Sequence, residues 1–129
     1  MLDLMCNGME IKINLSNGIY QAEPVSSSGK SYLYTMLQEL GRDDILALSY
    51  KDMKFLVNEA AINEIFSQNY KLILVDRYDL CEGVLDNYLQ RYENTAIVII
   101  DLKQKSESWI EHMCEFDLTE CRLEVNELW

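Results

Sequence analysis

A single histidine, a single proline and five glycines stand in 129 residues, and each scarcity excludes something. With His112 as the only imidazole, a zinc site would need carboxylates to complete it, and any Ser-His-Asp or Cys-His catalytic set would have to be built on that one ring. Nothing around His112 in the sequence supports either. The four cysteines, Cys6, Cys81, Cys114 and Cys121, form no C-x-x-C pair. Without a secretory signature, reduced thiols are expected. Basic residues are scarce as well: 11 against 22 acidic ones, a formal net charge of -11. A general nucleic-acid backbone binder needs a basic face, and this chain has little to build one from. Acidity suits a solvated surface, or docking to a basic protein partner.

No apolar run approaches the roughly 20 residues that cross a bilayer. Met1-Leu2-Asp3-Leu4-Met5 lacks a basic n-region and a full apolar h-region, so a soluble cytoplasmic protein with no membrane partner is expected. No repeat, low-complexity tract or linker interrupts the chain. Ser26-Ser27-Ser28 is too short to be one. Residues 1–129 therefore read as a single domain. Hydrophobic residues make up 49% of it, enough for a core and against whole-chain disorder.

The apolar positions alternate between two periods. Residues 9–15 and 18–23 read as strands, with Asn17-Gly18 between them as a tight-turn signal. Leu33, Met36, Leu37 and Leu40 follow helical spacing up to Gly41, a C-terminal stop. Residues 45–49 read as a buried strand. Met53, Leu56, Val57, Ala60, Ala61 and Ile65 form a helical stripe over 52–67. Leu72-Ile73-Leu74-Val75 is an aliphatic run ending in Asp76. Residues 80–92 give an amphipathic helix with Cys81, Val84, Leu85, Tyr88, Leu89 and Tyr92 aligned. Ala96 to Ile100 is a second aliphatic run, ending in Asp101. A further helix is predicted over 105–114 and a last strand over 121–125. Continuous aliphatic strands alternating with helices imply parallel crossovers. In such sheets, ligands bind beyond the carboxyl ends of the strands.

Beyond the strand at 18–23 lies Pro24-Val25-Ser26-Ser27-Ser28-Gly29-Lys30-Ser31, followed by a helix. This resembles the Walker A loop, G-x-x-x-x-G-K-[ST], of P-loop NTPases, with Pro24 in place of the first glycine. Leu72 to Asp76 resembles the Walker B strand of the same superfamily. The motifs cover about thirteen residues, and the order of elements matches over about 18–126.

The resemblance implies binding of ATP or GTP with Mg²⁺. Backbone amides and side chains of Ser26, Ser27, Ser28 and Gly29 would cradle phosphate, Lys30 would reach the β- and γ-phosphates, and Ser31 and Asp76 would serve Mg²⁺. Tyr32, and Tyr34 beyond it, are placed to stack a base or to pack the helix on the sheet. Many relatives follow the Walker B aspartate with a water-activating glutamate, whereas here the next residue is Arg77. Asp79 and Asp101 are the candidate catalytic carboxylates. Asp79-x-x-Glu82 also reads as a capping box, and Asp101 as a solvated strand end. Without the glutamate, hydrolysis is expected to be weak or absent. An ordinary helix capped by Ser27 or Ser28 is the plain alternative for the loop.

The implied fold is an α/β three-layer sandwich, P-loop NTPase-like, with a mostly parallel central sheet of about five strands plus an N-terminal β-hairpin. The alternative function is a non-enzymatic, acidic protein-interaction or inhibitory factor on a degenerate P-loop scaffold. Residues 107–129 hold seven acids and one arginine, with Trp109 and Trp129 as candidate docking anchors.

Overall fold

The computed structural model describes residues 1–23, 30–48, 59–76, 85–101, 110 and 112–128, with Lys30 and Ser31 through their backbone. Eight strands and three helices are formed among them. The strands are β1 (Leu2–Cys6), β2 (Met9–Asn14), β3 (Gly18–Ala22), β4 (Ile45–Leu48), β5 (Leu72–Val75), β6 (Ile97–Asp101), β7 (His112–Leu118) and β8 (Arg122–Glu127). The helices are α1 (Lys30–Leu40), α2 (Glu59–Ile65) and α3 (Asp86–Gln90). All eight strands join one sheet, in the order β1-β2-β8-β7-β3-β6-β5-β4.

The sheet is mixed. β7, β3, β6, β5 and β4 run parallel to one another. β8 is antiparallel to β7 and parallel to β2, and β1 is antiparallel to β2. The residues of β5, and of β6 up to Ile100, are buried throughout, as aliphatic strands covered on both faces must be. One hydrophobic cluster joins Leu72, Leu74, Ile97 and Ile99 to Leu33, Met36 and Leu37 of α1, and continues through Ile11, Ile13, Phe116, Leu123 and Val125. On the opposite face, Ile73, Val75, Val98 and Ile100 pack with Ile62, Phe66, Leu85, Leu89 and Tyr92.

The sheet also curls. Strands lie about 4.8 Å apart, so eight laid flat would place the outer two about 34 Å apart, whereas a helix with its side chains is only about 10–12 Å across. Yet α1 touches both edge strands, β1 and β4. At the β1 end, Asn7 Nδ2 donates to Glu39 Oε2 at 2.8 Å, and Cys6 Sγ lies 3.7 Å from the Met36 carbonyl. The sheet therefore wraps α1 as a half-barrel.

This overturns the expected three-layer sandwich with about five mostly parallel strands. Among the described residues, helices supply 11, 7 and 5 residues, too little to form full layers over eight strands. The expected hairpin at Asn17-Gly18 is not formed either, because β8 and β7 lie between β2 and β3. The tight hairpin is instead β1–β2, turned by Asn7-Gly8 with φ of 50° and 82°. Both values are positive, which is what a type I′ turn demands. Among the described residues Asn17 has no positive φ.

The helix expected over 105–114 is corrected at its end, where residues 112–114 open β7, while residues 105–109 and 111 lie outside the described residues. Cys114 and Phe116 point to the α1 side, and Met113 is buried from the other. That double burial at the start of the strand produced the helix-like spacing. Within α2 the buried residue is Ile62, which the predicted stripe omitted, and Phe66 follows one turn later. Gly41 ends α1 at φ 59°, as expected of a helix stop.

Candidate functional site

Parallel strands end together, so β3, β5 and β6 place the residues that follow them along one edge. In the five parallel strands the chain moves from β3 out to β4, then returns through β5 and β6 to lie beside β3 again. α1, between β3 and β4, lies on one face, while α2 and α3 lie on the other. Right-handed crossovers require this, because a reversed direction of travel puts the helix on the opposite face. The reversal marks a switch point, where open sheets of parallel strands hold their ligands.

Several predicted residues meet at this edge. β3 ends at Ala22, whose register partner in β6 is Asp101. Val75 pairs with Ile100, so Asp76 follows in register with Asp101 on the adjacent strand. The Asp76 N–H donates to the Leu48 carbonyl at 2.8 Å, which fixes its backbone to β4. Strand alternation puts Asp101 on the face of Ile97 and Ile99, which is the α1 face, and Asp76 continues the series of Leu72 and Leu74 to the same side. Both carboxylates are half-buried. α1 opens at Lys30 and Ser31. Its next residue, Tyr32, is 48% exposed, whereas Tyr34 packs partly against the core and accepts a hydrogen bond from Gln38.

Pro24, Ser26, Ser27, Ser28 and Gly29 lie outside the described residues, as do Arg77, Asp79, Trp109 and Trp129. The register thus brings the β3 terminus, Asp76 and Asp101 to one edge, and α1 is the next described element after β3. A hydroxyl and a carboxylate are hard oxygen donors of the kind Mg²⁺ takes, usually one or two from protein with phosphate and water completing the shell. No group of three or more His, Cys, Asp or Glu residues suited to a metal occurs among the described residues, and such a phosphate-assisted site does not need one.

Burial, reinforced by the neighbouring Glu39 carboxylate, pushes the Cys6 thiol up from its ordinary value and away from the reactive thiolate. Two cavities are lined by described residues. One sits at the amino end of β3, beside His112 and Glu127, and the other at the β7–β8 turn, beside Cys121 and Arg122. Sequence reasoning missed the first, because its residues come from five separate stretches of chain and form no motif.

No family model matches this chain, and neither curated proteins nor solved structures yield a match. No helix among the described residues is long and apolar enough to cross a membrane.

Proposed function

We propose that the chain is a P-loop-type, Mg²⁺-dependent nucleotide-binding protein with weak or no hydrolysis. The observation that carries this reading is the register that sets Asp76 and Asp101 beside the β3 terminus at one sheet edge, with α1 the next described element along the chain. Residues 23–29 connect β3 to α1 in the sequence. Ser26, Ser27, Ser28 and Gly29 surround the phosphates, Lys30 neutralises the β/γ charge, and Ser31 with Asp76 serves Mg²⁺. Asp101, beside Asp76 and opposite Ala22, meets the terminal phosphate. Exposed Tyr32 contacts the base or the solvent side of the ligand. When bound, Mg²⁺ supplies charge neutralisation between the phosphates. The chain's own residues position the nucleotide, and Arg77 rather than a glutamate follows Asp76 in the sequence, in keeping with binding rather than turnover.

Titration with labelled ATP and GTP tests this. Saturable, Mg²⁺-dependent binding that is lost in Lys30→Ala and weakened in Asp76→Asn is expected. At a hundredfold excess over Kd the ligand stabilises the fold by about 2.7 kcal/mol. Absence of binding, or binding indifferent to Lys30→Ala, overturns the proposal.

A second reading, an acidic interaction or inhibitory factor, draws on the outer face of β1, β2, β8 and β7. Helices leave it uncovered among the described residues, and Lys12 and Arg122 are already engaged there by Glu10 and Glu124. Salt-sensitive capture of a basic protein with no response to nucleotide would favour it.

A further inference from the structure

A different part of the molecule carries a second site. The β3–β7 ladder starts at Tyr20↔His112, two residues after β3 begins. Gly18 and Ile19 pair with Ile97 and Val98 of β6. A notch of about 300 Å³ lies between the amino end of β3, the turn after α3, His112 and the end of β8. This is the edge opposite the phosphate-loop edge.

The chemistry of the notch is one-sided. Glu93 and Glu127 bring carboxylates to it, Ser16 and Tyr20 bring hydroxyls, and among the described residues no lysine or arginine lines it. Tyr20 Oη donates to the Ser16 carbonyl at 3.1 Å and accepts from Ser16 Oγ at 3.3 Å, which fixes the phenol oxygen at the wall with one lone pair left to accept. Tyr20 and His112 hold their rings 5.7 Å apart, and His112 Nδ1 lies 3.8 Å from Glu127 Oε1. Glu93 has no ion pair among the described residues. A concave, acceptor-rich hollow with two carboxylates, in a chain of net charge -11, attracts a compact organic cation able to donate several hydrogen bonds.

We propose that this notch binds an alkylammonium or guanidinium group, held between Glu93 and Glu127 with Tyr20 Oη and His112 at its wall. Such a group arrives as a free amine or as the tip of a lysine or arginine side chain. The proposal is independent of the nucleotide reading.

Two-dimensional NMR of the intact chain tests it, with putrescine and N-acetyl-arginine amide as probes and sodium chloride at matched ionic strength as the control. The lone histidine gives one imidazole signal, an unambiguous reporter. Saturable shifts at His112, Gly18 and Tyr20 are expected, and Glu127→Gln or Glu93→Gln should weaken binding by about tenfold, the loss of one charge-assisted contact. Both glutamates are exposed, and the spectrum itself reports that the variants fold. Tighter binding of putrescine identifies a free amine, and tighter binding of the arginine probe a side chain. Shifts no larger than those from sodium chloride, or affinity unchanged in both glutamine variants, overturn the proposal.

Discussion

Replacing Gly8 with alanine isolates the turn that sets the order of the whole amino-terminal half. Gly8 sits at φ 82°, and a Cβ built there meets nothing within 4 Å. Any cost is therefore conformational and not steric. A left-handed L-residue costs about 1–2 kcal/mol, offset in part by the stiffer unfolded chain, which favours alanine by about 0.4–1 kcal/mol. The net expectation is a loss of about 1 kcal/mol, or about 3–6 °C in Tm for a domain of this size. Urea unfolding followed by circular dichroism reads it as a lower midpoint with an unchanged slope. A D-alanine at the same position, introduced by chemical ligation, should reverse the sign, because it removes the strain and keeps the entropy gain. If Gly8→Ala leaves the midpoint where it is, the chain does not turn at Asn7-Gly8. The pairing of β1 with β2 and the contact of Asn7 with Glu39 would then both be wrong.

Other perturbations probe the two cores. Tyr92→Phe removes a hydroxyl that reaches the Phe66 and Gln68 carbonyls at 2.9 and 2.8 Å, and should cost about 1–2 kcal/mol in urea unfolding. Leu33→Ala, at a fully buried position on α1, should cost about 2–5 kcal/mol, whereas Tyr32→Ala beside it should stay within about 0.5 kcal/mol. A scan of both variants by thermal unfolding compares them directly. Burial pushes the Tyr70 and Tyr92 hydroxyls above the ordinary tyrosine range. Their contribution to stability is therefore complete below about pH 10, where unfolded tyrosine begins to ionise, and is lost as pH rises through the higher folded values. Urea midpoints measured from pH 9 upward should fall, and fall less steeply in Tyr92→Phe.

The parallel centre of the sheet was legible because its strands are buried on both faces. Leu72 to Val75 and Ile97 to Ile100 leave no polar residue to face water, so their sequence announces their position. The helix ending at Gly41 was equally plain, since its stripe and its stop agree. The other half of the sheet was obscured by competition between local signals. Two Asn-Gly dipeptides occur, and the sequence does not say which one turns a hairpin. Leu2, Leu4 and Cys6 alternate inward as β1 requires, but the stretch is short and begins at the terminus. β7 was misread because Met113 and Cys114 are adjacent and both buried, which breaks a period of two. The strand order joining β2 to β8 depends on contacts more than a hundred residues apart, such as Asn14 with Asn126, and no local pattern encodes those. The carboxyl-edge residues were found by motif. The notch was not, because Tyr20, Glu93, His112 and Glu127 lie far apart in the sequence and meet only in the folded chain.

Backbone amide exchange measured with and without Mg-ATP bears most directly on the nucleotide proposal. The account predicts slowed exchange concentrated in residues 25–32, with smaller effects at Asp76 and Asp101, all abolished by Lys30→Ala. Unchanged exchange across 25–32, or protection appearing instead around Gly18 and Glu127, would contradict it.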